Sequence, residues 1–180
     1  VLSSVVLVQA CAPVIVAGGA TAAAVATDRR TAGAFVDDNA IEIKARKALN
    51  CDPESGNDVH TNTTSPNGTV LLTGETTTGA LRDRALALIR DVPGIRRIVN
   101  EVVIAEPTAF ASRTHDSWIT GKVKAKLLST EDIPARHVKV VTENSVVYLM
   151  GLVTQREGDL TAKATQQVGG VDRIVKLFEY

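Results

Sequence analysis

Two segments decide the fold of this chain: Asn67-Gly68-Thr69-Val70-Leu71-Leu72-Thr73-Gly74 and Asn144-Ser145-Val146-Val147-Tyr148-Leu149-Met150-Gly151. Each is typical of a tight turn followed by an apolar strand that ends on glycine. Gly74 and Gly151 are 77 residues apart, and the pairs Ile41/Ile119 and Gly94/Gly170 recur at 78 and 76 residues. Helical, turn and glycine positions that return together at nearly one offset indicate a duplicated domain.

Each copy is predicted to fold in the order helix, strand, strand, helix, strand, from its apolar periodicity and its turn residues. The first copy is predicted to contain a helix capped by Asp37-Asp38, strands Val59–Thr64 and Thr69–Thr73, a helix from Thr77 or Thr78 to Asp91, and strand Ile95–Ile104. The second is predicted to contain a helix capped by Asp116 or Ser117 and ending at Leu128, strands Val138–Thr142 and Val146–Met150, helix Gln155–Val168, and strand Val171–Phe178.

Composition limits the class of partner. The chain has 180 residues, with 20 Lys+Arg and 20 Asp+Glu. A neutral protein lacks the positive field that wholesale nucleic-acid binding requires, so nucleic acid is not an expected partner. Residues 113–180 carry a mild surplus of +2, so the position of that charge matters more than its sum.

The first 27 residues carry no charged side chain. One interpretation is a membrane-spanning anchor, for which about 20 apolar residues suffice. The other is the end of a secretory signal peptide, cut before Cys11. Gln9, Pro13 and Gly18-Gly19 interrupt the run and favour the second interpretation. Val8-Gln9-Ala10-Cys11 is typical of a bacterial lipobox, whose cysteine becomes lipidated.

We therefore predict a signal-peptide remnant at 1–10, a lipidated Cys11 with a flexible tether at 11–36, and globular domains at 37–105 and 114–180. Acylation anchors a protein durably, because each buried CH2 contributes about 0.8 kcal/mol. Ala12, where Asp would direct retention in the inner membrane, points to the outer membrane. Lipidation of Cys11 leaves Cys51 unpaired, and we expect Cys51 to be a tolerated thiol in a turn.

The sequence predicts no enzyme. Its histidines, His60, His115 and His137, form no H-E-x-x-H arrangement, and its cysteines, serines and glycines form no C-x-x-C, G-x-S-x-G or phosphate-binding motif. His60 and His137 are expected on the surface of the sheets. We therefore expect no catalytic residue, no metal ligand and no cofactor.

The order αββαβ resembles the BON domain family. So do the glycines that close the second strands (Gly74, Gly151) and the segment Val-x-Gly-Val/Ile-x-x-Ile-Val before each last strand. Two such domains behind a lipobox are similar to the dual-BON outer-membrane lipoproteins of Gram-negative bacteria. The resemblance implies an α+β fold of two tandem BON domains, each with two helices packed on a three-stranded mixed sheet. It also implies a lipid-anchored, periplasm-facing protein that supports outer-membrane integrity, including at the division site.

The first helix of the second copy carries an unusual face. At about 100° per residue, its core stripe is Ile119, Val123 and Leu127. Trp118, Lys122, Lys126 and Ser129 lie on an adjoining face, with Ala125 on its far edge.

The first copy lacks this face, since Ala40 matches Trp118 and Ala48 matches Lys126. Tryptophan favours the headgroup region of membranes, and each lysine near an anionic surface contributes about 1 kcal/mol. From the residues alone, two interpretations remain open. One is membrane contact, and the other is packing of Trp118 between the domains or against its own sheet, with the lysines as a solvated face.

The BON resemblance implies that this helix binds anionic phospholipid. The expected phospholipid-binding residues are Trp118, Lys122, Lys124, Lys126, Leu128 and Ser129. The alternative is a protein-interaction adaptor for an envelope assembly or cell-wall remodelling machinery, in which lipid contact is incidental.

Overall fold

The computed structural model describes residues 32–54, 56 and 58–180. Cys11, the predicted signal remnant and the predicted tether up to residue 31 lie outside the described residues. The elements in chain order are α1 (Ala32–Asn50), β1 (Val59–Thr64), β2 (Thr69–Thr76), α2 (Gly79–Arg90), β3 (Arg97–Ile104), α3 (Phe110–Leu128), a 3₁₀ turn (Ala135–His137), β4 (Lys139–Glu143), β5 (Val146–Leu152), α4 (Gln155–Gln166) and β6 (Arg173–Glu179).

Each copy forms one three-stranded mixed sheet. In the first copy, β2 is central, antiparallel to β1 and parallel to β3. In the second, β5 is central, antiparallel to β4 and parallel to β6. The two helices of each copy share a buried apolar core with their sheet. The predicted α+β fold of two αββαβ units with mixed sheets is confirmed.

The glycines that close the recurring segments are required by the backbone. Gly74 and Gly151 have φ values of 119° and 138°, in the region that L side chains rarely adopt. A Cβ atom would also collide with the carbonyl oxygen of His60 at Gly74, and with that of His137 at Gly151. Gly74 therefore lets β1 lie directly against β2, and Gly151 lets the turn that precedes β4 lie directly against β5.

The predicted caps of the two first helices are wrong. Helix α1 begins at Ala32 and α3 at Phe110, so Asp37 and Asp38, like Asp116 and Ser117, lie inside their helices. Residues 32–36, assigned to the tether, are helical. Helix α2 does begin as predicted: the N–H of Leu81 donates to the hydroxyl of Thr78.

The aspartates instead fasten each helix to its hairpin turn. The Asp38 carboxylate accepts the backbone N–H groups of Asn67 and Gly68, at 2.6 and 2.7 Å. The Asp116 carboxylate accepts those of the matching turn residues 144 and 145, both at 2.9 Å. All four turn residues have positive φ, which directs consecutive N–H groups to one side. Asp38 and Asp116 resemble helix caps in the sequence, but both make the same tertiary contact in their own copy.

The two sheets face each other through the sides that the helices leave bare. Leu71 of β2 packs with Tyr148 and Met150 of β5 in a third buried apolar cluster. Every residue of β2 is consequently buried, since helices cover one face of the strand and the sister domain covers the other. Burial, with the nearby carboxylate of Glu101, raises the pKa of Tyr148 to about 12.

Candidate functional site

Helix α3 exposes an apolar stripe on the side away from its core. Trp118 is 66% exposed and Leu128 is 68% exposed. Gly121 and Ala125, which are also exposed, lie between them at spacings of three, four and three residues. Such spacings place all four on one side of the helix, over a length of about 15 Å. We refer to Trp118, Gly121, Ala125 and Leu128 as the α3 stripe.

The core side of α3 holds this stripe in place. Ile119, Val123 and Leu127 are at most 1% exposed, as their predicted core role requires. Because these side chains fix the rotation of the helix, the stripe faces solvent. The alternative that Trp118 packs between the domains or against its own sheet is excluded by its 66% exposure.

Small residues in the middle of the stripe leave the helix accessible to a flat surface. A Cβ atom at Gly121 would meet no neighbouring group within 4 Å. Ala125 adds only a methyl group, so the larger side chains of Trp118 and Leu128 project at the two ends. This pattern suits contact with an extended surface better than insertion into a deep pocket.

Lysines border both edges of the stripe. At about 100° per residue, Lys122 and Lys126 lie on one edge and Lys124 on the other. Lys124 is exposed, whereas Lys122 and Lys126 are half-buried. Among the described residues, no carboxylate lies within 4.0 Å of these three ammonium groups. Their charge therefore remains available to an anionic partner.

Two of the predicted site residues also have local structural roles. The ammonium of Lys122 donates to the carbonyl of Gly169, which ties α3 to the turn between α4 and β6. Ser129 is exposed and ends α3, with its N–H donating to the Ala125 carbonyl at 3.1 Å. Lysines near the carbonyl end of a helix are also favoured by the helix dipole.

The structure thus brings the six predicted site residues together on and around one helix. The face predicted from the sequence is centred on Trp118 and the lysines, with Ala125 on its far edge, and does not include Gly121. The three-four-three spacing of residues 118, 121, 125 and 128 is the signal that predicts the stripe.

A second polar feature lies between the two domains. His60, Glu75 and Glu143 each offer one atom that could bind a metal ion. These three atoms lie within 4.8 Å of one another. Glu75 is 0% exposed and Glu143 is 7% exposed. The Asn144 amide donates to Glu75 Oε1 at 2.5 Å, and the Asn62 amide donates to Glu143 Oε2 at 3.0 Å.

Burial changes the pKa of one member of this cluster, Glu143. Desolvation raises the pKa of Glu143 above its ordinary value, although the hydrogen bond from Asn62 acts in the opposite direction. His60 was predicted on the sheet surface, and it does lie on β1. Its approach to Glu143 was not predicted, because the two residues belong to different domains.

No helix in the described part of the chain combines the length and apolar character needed to cross a bilayer.

The BON domain model matches residues 37–106 and 115–180. The chain is 36% identical over 179 residues to "Outer membrane lipoprotein DolP" of Haemophilus influenzae, an alignment that covers 99% of this chain and 93% of that protein. It is 33% identical over 153 residues to "21 kDa hemolysin" of Actinobacillus pleuropneumoniae, which covers 85% of this chain and 79% of that protein. A solved C-terminal domain of CdsD from Chlamydia trachomatis aligns at 15% identity and a TM-score of 0.32, over 79% of this chain and 67% of that one.

The family match covers most of the chain, and the similarity to the Haemophilus protein extends along almost its whole length. Neither the matched family nor the names of these relatives indicate an enzyme family. The predicted resemblance to dual-BON outer-membrane lipoproteins and the predicted outer-membrane location are confirmed. The chain therefore belongs to the BON domain family, as a dual-BON outer-membrane lipoprotein of the Gram-negative type.

Proposed function

We propose that the α3 stripe and its lysines bind the surface of an anionic phospholipid membrane. In this proposal the protein faces the periplasm and supports outer-membrane integrity, including at the division site. The observation that carries the proposal is the exposure of Trp118 in a stripe bordered by three lysines without carboxylate partners. An indole at the headgroup level keeps its N–H hydrated and its ring in an apolar surrounding.

The expected energy of this contact is modest. Each lysine close to an anionic leaflet contributes about 1 kcal/mol, so Lys122, Lys124 and Lys126 together supply about 3 kcal/mol. Trp118 and Leu128 add apolar burial to that value. A free energy of about 5 kcal/mol corresponds to a dissociation constant of about 0.2 mM, which is weak for a free protein. A lipid anchor raises the local concentration of membrane surface, so a weak contact suffices to orient the domain.

A protein-interaction adaptor remains the second candidate because of the first domain. Helix α1 exposes Val36 at 65% and Ile43 at 66%, seven residues apart on one side of the helix. These side chains are suited to an apolar partner surface. At the matching positions α3 has Thr114 and Gly121, so the two helices present different side chains there. The two candidates therefore assign different helices to the primary contact.

Co-sedimentation with vesicles separates the two candidates. The 180-residue chain carrying Cys11→Ser, which prevents acylation, is mixed with vesicles of phosphatidylglycerol and phosphatidylcholine. We expect Trp118→Ala to lower the affinity for anionic vesicles at least tenfold, about 1.4 kcal/mol. Ile43→Ala is the matched control, because it removes an equally exposed apolar side chain from the corresponding helix.

The control should bind like its parent, and both should retain the parental circular dichroism spectrum. Equal binding by Trp118→Ala and the parent would contradict the lipid proposal. A loss of binding in Ile43→Ala alone would move the contact to the first domain.

A further inference from the structure

We propose that His60, Glu75 and Glu143 form a binding site for one Zn²⁺ ion that joins the two domains. His60 lies on β1 and Glu75 on β2 of the first domain, whereas Glu143 ends β4 of the second. An ion bound by all three would therefore link the domains directly. This inference is independent of the membrane contact proposed for α3.

The donor set and its spacing suit zinc. Zinc takes imidazole nitrogen and carboxylate oxygen at about 2.0–2.2 Å, so two ligand atoms of a tetrahedral site lie about 3.4 Å apart. His60 Nε2 and Glu143 Oε1 are 3.9 Å apart, which is too long for a hydrogen bond and close to the separation that a shared ion requires. Three protein ligands leave one position for water or a fourth side chain.

The charge balance of the interface also points to a cation. The other carboxylates that reach across the interface have basic partners: Glu42 with Lys139 at 3.7 Å, Glu101 with Arg173 at 3.7 Å, and Glu179 with Arg96 at 3.3 Å. Within the described part of the chain, no Lys or Arg nitrogen lies within 4.0 Å of Glu75 or Glu143. Two buried carboxylates without a cation are unfavourable, and a divalent ion compensates both.

Each buried glutamate keeps one oxygen for a ligand. Amides hold Glu75 Oε1 and Glu143 Oε2, as described above. The second oxygen of Glu75 has hydrogen bonds no shorter than 3.4 Å, from Thr108. The second oxygen of Glu143 accepts no hydrogen bond among the described residues and lies 3.9 Å from His60 Nε2.

The surroundings of His60 can adjust to the ion. The Asn62 amide nitrogen, which donates to Glu143 Oε2, also lies 3.3 Å from His60 Nε2, so a ring nitrogen that binds the ion gives up only this longer contact. The guanidinium of Arg113 approaches the other ring nitrogen at 3.4 Å. Arg113 is exposed, so it can turn to solvent when that nitrogen carries the proton.

The test is a titration with Zn²⁺ alone. The metal-stripped 180-residue chain carries Cys11→Ser and Cys51→Ser, so that thiolates do not compete for the ion, and binding is followed by isothermal titration calorimetry. We expect one ion per chain, and a rise in the thermal midpoint when zinc is added. Loss of an outer partner of a metal ligand typically costs about 10–100-fold in affinity, so loss of a ligand should cost at least as much.

His60→Ala and Glu143→Gln should therefore bind zinc at least tenfold more weakly and lose the zinc-induced rise in the thermal midpoint. His115→Ala removes an exposed imidazole from α3 and should behave like its parent. The proposal is overturned if the parent chain shows no one-to-one binding, or if His60→Ala binds zinc as tightly as His115→Ala. If Glu143→Gln does not fold, His60→Ala decides the result, because that side chain lies at the edge of the interface and is 20% exposed.

Discussion

Helices α1 and α3 occupy the same place in two copies of one fold, and their buried sides are nearly the same. Ile41, Ala45 and Leu49 of α1 correspond to Ile119, Val123 and Leu127 of α3. Each helix also holds its hairpin turn through one buried aspartate. Their exposed sides differ, because the chain has one tryptophan and it lies on α3.

This difference shows which positions the fold constrains and which it leaves open. Core residues and the turn-holding aspartates must satisfy the same packing in both copies, so they recur. Exposed positions carry no such constraint and can be specialised. On α1 the Glu42 carboxylate pairs with Lys139 of the other domain, at 3.7 Å. On α3 the stripe and its lysines face outward, which is why we assign the membrane contact to the second domain.

The largest effect on stability in both domains is expected at the strand glycines. Gly151→Ala and Gly74→Ala should each lower the free energy of unfolding by about 2–6 kcal/mol, the sum of positive-φ strain and overpacking. Urea unfolding followed by circular dichroism measures this loss. Gly121→Ala, on the open face of α3, is the control and should raise stability by up to about 1 kcal/mol. If Gly151→Ala unfolded at the same urea concentration as the parent, that result would contradict the assigned backbone constraint.

The paired aspartates come next. Asp38→Ala and Asp116→Ala should each lower the free energy of unfolding by about 3 kcal/mol, since each removes two hydrogen bonds to a charged group. Thermal and urea unfolding should give similar losses for the two variants if the copies use the contact in the same way. The exposed neighbour Asp37→Ala should change stability by less than about 0.5 kcal/mol. A loss at one aspartate alone would show that the copies differ in this contact.

Charge reversal sharpens the contrast between the exposed faces. Lys124→Glu should weaken binding to anionic vesicles about 30-fold, because one attraction of about 1 kcal/mol is lost and a similar repulsion is added. Arg46→Glu changes the corresponding position of α1 and should bind like the parent. Added salt should shrink the difference between the two variants, since it screens exposed charges. Equal weakening by both reversals would mean that net charge, and not the α3 face, governs binding.

The smallest effect concerns pH and the domain interface. Burial raises the pKa of Glu143 in the folded chain, so the folded state holds more protons than the unfolded state between the ordinary and the raised value. Stability therefore falls as pH rises through that interval. In metal-free protein, Glu143→Gln should melt higher than the parent near pH 7 and no higher near pH 4, and the exposed Glu131→Gln should match the parent at both. A constant difference across pH would exclude titration of Glu143 as the cause.

The repeat made most of the fold predictable. Helices, hairpins and closing glycines recur at one offset, and the second copy confirms each element proposed for the first. The aspartates were misassigned as caps because a local pattern cannot show that Asp38 reaches Asn67, 29 residues away. The meeting of His60 with Glu143 was also beyond sequence reasoning, since it depends on how two sheets face each other. On α3, residue spacing sufficed to place Trp118 outside the core, but its exposure required coordinates.

The most direct test of the membrane assignment is the fluorescence of Trp118, which is the one indole in the chain. The 180-residue chain with Cys11→Ser is titrated with vesicles whose acyl chains carry bromine, a contact quencher. We predict a blue shift and quenching of the emission with phosphatidylglycerol, and neither with phosphatidylcholine, because the indole enters only the anionic surface. Emission that stays unchanged while the protein co-sediments with the anionic vesicles would contradict the account.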